Sequence, residues 1–518
     1  MNTVIGIDYG TQSARALLVD AGNGHVLASH TVRYAHGVMP GSLASAEDYE
    51  NTLMELLEHV TPEEHRATVR GICVDATSLT LVPADGSGRP LALQPKFAGR
   101  EQAQIKLWKR HAAQPQADEA LALAKKLGES FLKRTGGSIS SEWTLPKILE
   151  IRDKDPEVYG EMDLALDLCE YLTIRLTGTL GRSNSSMCFK GLWDREEGFP
   201  SDAFLNGLRP GFAEEYRHLL RGEVYKPGEA AGLLSDEMCA RFGLNKIPVA
   251  AGILDGHTGL VAMGVLHAGD ASLVLGTSNV VSIQTEEMYP IEGICGIAMD
   301  GLAPGLYGID SGQNCTGDML EWYVNHAAPA EAVKEAQERG VSVHQVLCGR
   351  IEKPWENKVT AADWWNGSRN APCDLSLRGG MMGLSLETKA EEIYLALLQA
   401  IVCGTRAIIE QCGKYGVTVS RVLATGGIAG KNPLLMQEYA NVLNVPVDVG
   451  QVSEGPALGA AIYAAVAAGL YAGPVEAHRN MGVTEYTHYL PDPNHRAEYE
   501  ALYRRNRKFR DLVASFAP

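Results

Sequence analysis

Two stretches far apart in the chain share one pattern. "VIGIDYGTQSARALLVD" (Val4 to Asp20) and "LVLGTSNVVSI" (Leu273 to Ile283) each run from an apolar β-type segment through a small polar loop carrying Gly-Thr into a second apolar segment. Either one alone reads as a hairpin, because Gly and Thr are ordinary turn residues. Placed near the start of each half, the two together point to an architecture built twice, with halves that face each other.

The surrounding sequence extends the pattern. Gly22-Asn23-Gly24 is a turn signal before a third strand, Val26 to Val32. Glu47 to His59 has helical apolar spacing, and "VRGICVDA" (Val69 to Ala76) reads as a buried strand with Asp75 near its end. The order is β-β-β-α-β. With 518 residues the chain is too long for one ordinary core, so two domains are expected, residues 1–256 and 257–518, the second ending in a helical tail. In that second part, "VLATGGIAGKNPLLMQEYANVLNVPVDV" (Val422 to Val449) predicts a β-loop-α-β unit with its helix after Asn432-Pro433.

Between these units, "KLWKRHAA" and "EALALAKKLGESFLKRTG" predict helices, as do Leu145 to Arg152 and Asp167 to Thr177. "GRSNSSMCFKGLWD" (Gly181 to Asp194) mixes strand-like and turn-like residues without resolving. Gly455 to Val475 carries no charge and is long enough to span a bilayer. Its alanines and glycines favour a small-faced helix packed on a sheet.

Lys+Arg 46 against Asp+Glu 63 gives a formal charge of −17, which argues against nucleic-acid or anionic-membrane partners and permits a local basic pocket. The ten cysteines never approach a C-x-x-C spacing, so neither a zinc framework nor a redox dithiol is expected. Buried thiols in a reducing compartment and an N-terminus without a signal pattern place the expected location in the cytoplasm.

The chemistry-bearing residues gather on the glycine loops. Gly10 and Thr11, and again Gly276 and Thr277, can offer backbone N–H groups and hydroxyls to phosphate. Neither loop is a Walker A motif. Asp8 would repel a bare phosphate and suit Mg²⁺ bound to one. Gly426-Gly427, entering a helix, can let a nucleoside lie against the backbone. Asp255 in "AGILDGHTG" follows an apolar strand, where a carboxylate can reach a cleft and accept the proton of an attacking hydroxyl. An Asp-Gly turn is the plain alternative there, and the adjacent His257 reads as structural.

The ordered series "GIDYGTQSARALLVD", "KLWKRHAAQPQAD", "GGSISSEWTLPKILEI", "AGILDGHTG", "GTSNVVSI", "GLYGIDSGQNCTGDMLEWY", "DWWNGSR", "GTRAIIE" and "ATGGIAGKNPLLMQEYANVL" spans essentially the whole chain. It resembles the FGGY family of carbohydrate kinases, and "KLWKRHAA" with "SSEW" points to the ribulokinase branch. The resemblance implies a duplicated α/β fold of the actin-like, RNase H type, with ATP and sugar between two domains. It makes Asp255 the catalytic base and Asp8 the metal residue. Gly10, Thr11, Arg15, Gly276, Thr277, Gly317, Gly427 and Asn432 fall at nucleotide positions. Lys190, Asp310 and Ser78 fall at the sugar with Asp255.

The sequence departs from the family pattern at Asp310, where glutamate is expected, and in "DATSLTLVPADG" around Ser78. One misplaced hydrogen bond to a buried hydroxyl changes preference by about 1–3 kcal/mol. The expected reaction is ATP- and Mg²⁺-dependent phosphorylation of a ketopentose, L-ribulose at C5 in pentose catabolism. D-ribulose, another ketose or a pentitol is the alternative substrate. A non-catalytic actin-like interaction or sensor protein is the alternative of another class. Members of the family vary in assembly, and a homodimer is allowed.

Overall fold

A computed structural model describes residues 1–371, 373–451 and 454–516. Strands Thr3–Tyr9, Ser13–Asp20 and Val26–Arg33 form an antiparallel meander. Strand Val69–Ala76 adds parallel to the first of them, and Pro248–Ala250 parallel to it in turn. The second lobe repeats the plan. Asp270–Leu275, Asn279–Thr285 and Tyr307–Gln313 are the meander, with Arg421–Thr425 and then Val447–Gly450 added in parallel. Hairpin turns Gly10–Gln12 and Gly276–Ser278 occupy matching places in two seven-stranded sheets.

The first strand reads as an almost unbroken apolar run because both its faces are covered. Ile5, Ile7 and Tyr9 pack on Tyr49, Leu53, Leu56 and Leu57 of the helix Ala46–Val60. Val4, with Val19 and Cys73 of the neighbouring strands, faces Ala457, Ala460, Ala461 and Ala464. Those alanines belong to the helix Gly455–Ala467, which comes from the far end of the chain and lies on the first lobe's sheet. Its approach is so close that a Cβ at Gly6 would sit 1.9 Å from the Ala457 carbonyl oxygen, and one at Gly71 2.6 Å from that of Ala464. The uncharged stretch is therefore a small-faced helix on a sheet. The helix Ala390–Gly413, also apolar enough to cross a bilayer, runs through the second core instead, with Leu397, Leu398, Ile401 and Val402 buried.

Helix Asp255–Met263 packs against Gly455–Ala467, a Cβ at Gly459 reaching within 2.0 Å of the Thr258 carbonyl oxygen. The expected domain division between Gly256 and His257 falls inside the first of these two helices.

"KLWKRHAA" does not form the expected helix. Ile105–Lys106 is a short strand of a separate four-stranded sheet, and turns follow until the helix Gln114–Leu127 begins. Buried basic side chains hold this irregular backbone. Lys106 donates to the Gln102 carbonyl at 3.1 Å, and Arg110 to the Gly41 carbonyl at 2.6 Å and to Glu150. The unresolved "GRSNSSMCFKGLWD" becomes strand Gly181–Ser183 and a six-residue buried helix, Asn184–Phe189, capped by Ser183.

Candidate active site

Asp8 stands one residue before the end of the first strand, opposite Asp75 on one side and Arg15 on the other. The turn beyond it is closed by the Gly10 N–H on the Ser13 carbonyl, 3.0 Å, and by the Tyr34 hydroxyl on the Gly10 carbonyl, 2.9 Å. Thr11 Oγ1 accepts from Trp108 Nε1 at 3.2 Å. Arg15 turns to two carboxylates, Asp8 at 3.6 Å and Glu454.

Three carboxyl groups converge here. Asp75 is fully buried with neither oxygen partnered, and burial followed by the charges of Asp8 and Asp255 pushes its pKa well above the ordinary range. Burial also raises Asp8, against the pull of Asp75 and Arg15. Asp255, the first residue of its helix, accepts from the Gly256 N–H at 2.7 Å and the Ser78 N–H at 3.4 Å. Burial, then Asp8's charge, pushes it up to about 7, the range in which a carboxylate serves as a general base near neutral pH.

The loop that brings Ser78 to Asp255 is held from behind. Leu79 adopts a left-handed conformation, φ 64°, and its carbonyl accepts from Nζ of the buried Lys147 at 2.6 Å.

On the second lobe the predicted nucleotide residues cluster on backbone. The N–H groups of Thr316 and Gly317 bond the carbonyls of Thr277 and Gly276 at 2.8 and 3.1 Å, and a Cβ at Gly317 would meet the Gly276 oxygen at 2.5 Å. Gly426, φ 98°, passes so near strand Asp270–Leu275 that a Cβ would lie 2.4 Å from the Leu275 oxygen, while Gly427 beside it faces open space. Asn432 is engaged as the cap of helix Pro433–Leu443, accepting from the Leu435 N–H at 3.0 Å.

The two lobes meet at the predicted sugar residues. Lys190, 5% exposed, reaches Asp310 of the second lobe at 3.5 Å and lies over the rings of Trp143 and Phe189, 5.6 Å from each. Beside them, His257 bonds Ser185 Oγ at 3.0 Å, and burial holds its ring neutral with a pKa of about 4. Backbone bonds from Gly293 to Gly136 and from Ile297 to Arg134, 2.9 and 2.8 Å, fasten the lobes along this wall.

Among the described residues no group of three side chains is set to hold a metal by itself. Mg²⁺ commonly takes one or two carboxylates and fills its other positions with water and phosphate oxygens. Asp8, next to an orphaned buried acid and Asp255, fits that pattern. Sequence reasoning left Asp75 and Trp143 without roles. An acid near the end of an otherwise apolar strand was the signal for the first, and the quoted "SSEW" held the second.

Comparison with known proteins bears on the whole chain. The N-terminal domain model of the FGGY family of carbohydrate kinases matches residues 3–262, and the C-terminal domain model residues 271–468. A ribulokinase of Anoxybacillus flavithermus is 40% identical over 533 residues, covering 98% of this chain and 94% of its own length. One of Mycolicibacterium smegmatis is 37% identical over 524 residues, covering 96% and 92%. Among solved structures, a xylulose kinase of Rhodospirillum rubrum superposes with a TM-score of 0.84 at 21% identity, covering 99% of each chain. A glycerol kinase of Plasmodium falciparum gives 0.79 at 17%, covering 98% of each. These two share the fold.

Proposed function

Because the chain belongs to the FGGY family of carbohydrate kinases, we propose that it transfers the terminal phosphoryl group of ATP to C5 of L-ribulose, within the breakdown of pentoses. The observation that carries the reading is the contact of Lys190 with Asp310 at 3.5 Å, a donor and an acceptor from opposite lobes. Such a pair matches the hydroxyl and carbonyl oxygens of a polyol, and His257, two residues from Asp255, feels the charges of both. A filament or chaperone has no use for that arrangement, and the retained Asp255 counts against a sugar-sensing regulator. The naming of relatives about 40% identical over nearly the full chain as ribulokinases supports the choice of sugar.

Lys190 and Asp310 orient hydroxyl and carbonyl oxygens, and Asp255 accepts the proton as the acceptor hydroxyl attacks. Thr11 and Thr277 present backbone and hydroxyl donors to the phosphates, while Gly10, Gly276 and Gly317 shape the turns, their own N–H groups being bonded to the carbonyls of Ser13, Ser278 and Gly276. Asp8 would hold Mg²⁺, which supplies neutralisation of phosphate charge. Phosphoryl transfer demands little beyond such positioning and electrostatics. Closure of the lobes then excludes water that would otherwise hydrolyse ATP. The division into residues 1–256 and 257–518 belongs to the same reading, with helix Gly455–Ala467 crossing between lobes. Ten free cysteines support a cytoplasmic setting.

A second reading, a kinase for D-ribulose, another ketose or a pentitol, is favoured by the short Asp310 side chain and the left-handed Leu79 next to Ser78. ATP turnover measured over a panel of pentuloses and pentitols decides between them. L-ribulose with the highest kcat/KM supports the first reading, another sugar the second, and no stimulation by any sugar removes both.

A further inference from the structure

Arg369, in the "DWWNGSR" segment, is a half-buried cation with no carboxylate within ion-pair distance among the described residues. Its Nη2 donates to the Asn279 carbonyl at 2.9 Å, while its Nε is buried without an acceptor. Arg15, the basic residue expected at the phosphate, is by contrast engaged by Asp8 and Glu454. A guanidinium whose Nε is sealed from water without an acceptor is costly, and an anion arriving at its fork would offset that cost.

The strand Tyr307–Gln313 fixes where that anion comes. Side chains alternate along a strand, so Asp310 and Gly312 share one face. Gln313 points to the other, into the core, where its amide donates to Asp363 and to the Ile401 carbonyl. A Cβ at Gly312 would lie 2.4 Å from Arg369 Nη2. The guanidinium thus occupies the side-chain space that Gly312 leaves, on the Asp310 face and about 7 Å farther along the strand. The next pair in the ladder, Asn279 with Gln313, adjoins the Gly276–Ser278 turn. The Cys295 N–H donates to the Asp310 carbonyl at 2.9 Å, and the charges of Arg369, Asp310 and Lys190 all act on its thiol, which burial pushes up to about 11.

We propose that Arg369 contacts the phosphoryl group as it passes from nucleotide to sugar, its planar fork donating to phosphoryl oxygens between the Lys190–Asp310 pair and the second glycine turn. The bond from the γ-phosphorus to the nucleotide oxygen breaks, the bond to the sugar oxygen forms, and the hydroxyl proton goes to Asp255. Arg369 holds the charge that develops on the phosphoryl oxygens and takes no proton. A guanidinium suits this better than an ammonium because it offers two parallel donors. The proposal rests on the kinase reading.

The test compares wild type, Arg369→Ala and Arg369→Lys in sugar-dependent ADP formation, with and without added guanidinium ion. The expected result is a fall in kcat of at least about 10²-fold in Arg369→Ala, below the usual arginine-finger range, with the sugar KM changed less than about threefold. Arg369→Lys stays nearer to the alanine variant than to wild type, and guanidinium raises kcat of Arg369→Ala while leaving wild type unmoved. Near-wild-type kcat in Arg369→Ala, or a loss that guanidinium fails to relieve, overturns the proposal and leaves the kinase reading standing. A wild type silent toward every pentulose and pentitol sinks the kinase reading itself.

Discussion

Replacing Asp255 by asparagine separates the two consequences of its position, loss of the base and relief of a buried charge. The folded carboxyl titrates at about 7 in place of 3.8. Between those values the folded state binds more protons than the unfolded chain, so stability falls as pH rises and the penalty is complete above about 7. A gap of about three units, at about 1.4 kcal/mol each, sets a ceiling of about 4 kcal/mol. Asp255 keeps some solvent contact in the cleft, and screening there brings the expected figure to about 2 kcal/mol. Asp255→Asn therefore loses kcat by at least about 10²-fold while melting about 4–8 °C higher than wild type at pH 8, for a lobe of this size. The gain shrinks toward pH 5. In wild type, kcat/KM rises with pH through about 7, the value the folded carboxyl sets, and the variant lacks that limb. Coupled ADP release and thermal unfolding at several pH values give both readouts. A variant that keeps more than about a tenth of wild-type kcat refutes the base assignment. One that melts lower than wild type at pH 8 refutes the account of the buried charge.

Lys190→Met leaves Asp310 without its cation and should raise the sugar KM about tenfold to a hundredfold with the ATP KM little changed; equal effects on both substrates would place Lys190 elsewhere. Asp310→Glu should change the kcat/KM ratio between L-ribulose and D-ribulose by about tenfold or more, and unchanged ratios would remove that residue as a determinant. Gly459→Ala drives a methyl against the Thr258 carbonyl, 2.0 Å from the ideal Cβ, and should cost about 1–3 kcal/mol of stability. Because Thr258 and Asp255 share a helix, kcat should fall with it; an unchanged melting temperature would show that the two helices are less tightly registered than their geometry indicates.

The parts of the fold legible in the sequence are those where local chemistry and final environment agree. Glycine, threonine and apolar alternation at Val4 to Asp20 and at Leu273 to Ile283 suffice for two matching hairpins, and alanines between Gly455 and Ala467 suffice for close packing. "KLWKRHAA" misled because the burial of Lys106 and Arg110 is decided by carbonyls at Gln102 and Gly41 and by Glu150, partners that a local pattern cannot reveal. The six-residue helix Asn184–Phe189 stayed hidden for a similar reason, its Ser and Asn residues being buried against distant partners such as His257 and the Met299 carbonyl. Asp8 and Asp255 could be chosen from sequence as strand-end acids with Gly10 and Gly256 just beyond them. Asp75 lies near a strand end without a following glycine, and its lack of a hydrogen-bond partner appears only when three strand ends come together. Arg369 stood in the quoted "DWWNGSR" without a role, since what distinguishes it is the absence of a side chain at Gly312.

The crossing of helix Gly455–Ala467 onto the first lobe has a consequence for the order of synthesis. Gly6 and Gly71 wait for Ala457 and Ala464, so the face of the first sheet has no cover when the ribosome finishes residue 262. At ~5–20 residues per second, the roughly two hundred residues still to come occupy about 10–40 s. During that interval a nascent chain with its N-terminal half complete displays Val4, Val19 and Cys73 to the cell, a surface for a chaperone to shield or for a neighbouring chain to seize. The family's N-terminal segment is in this sense a unit of sequence that becomes a unit of structure only when the last fifth of the protein arrives.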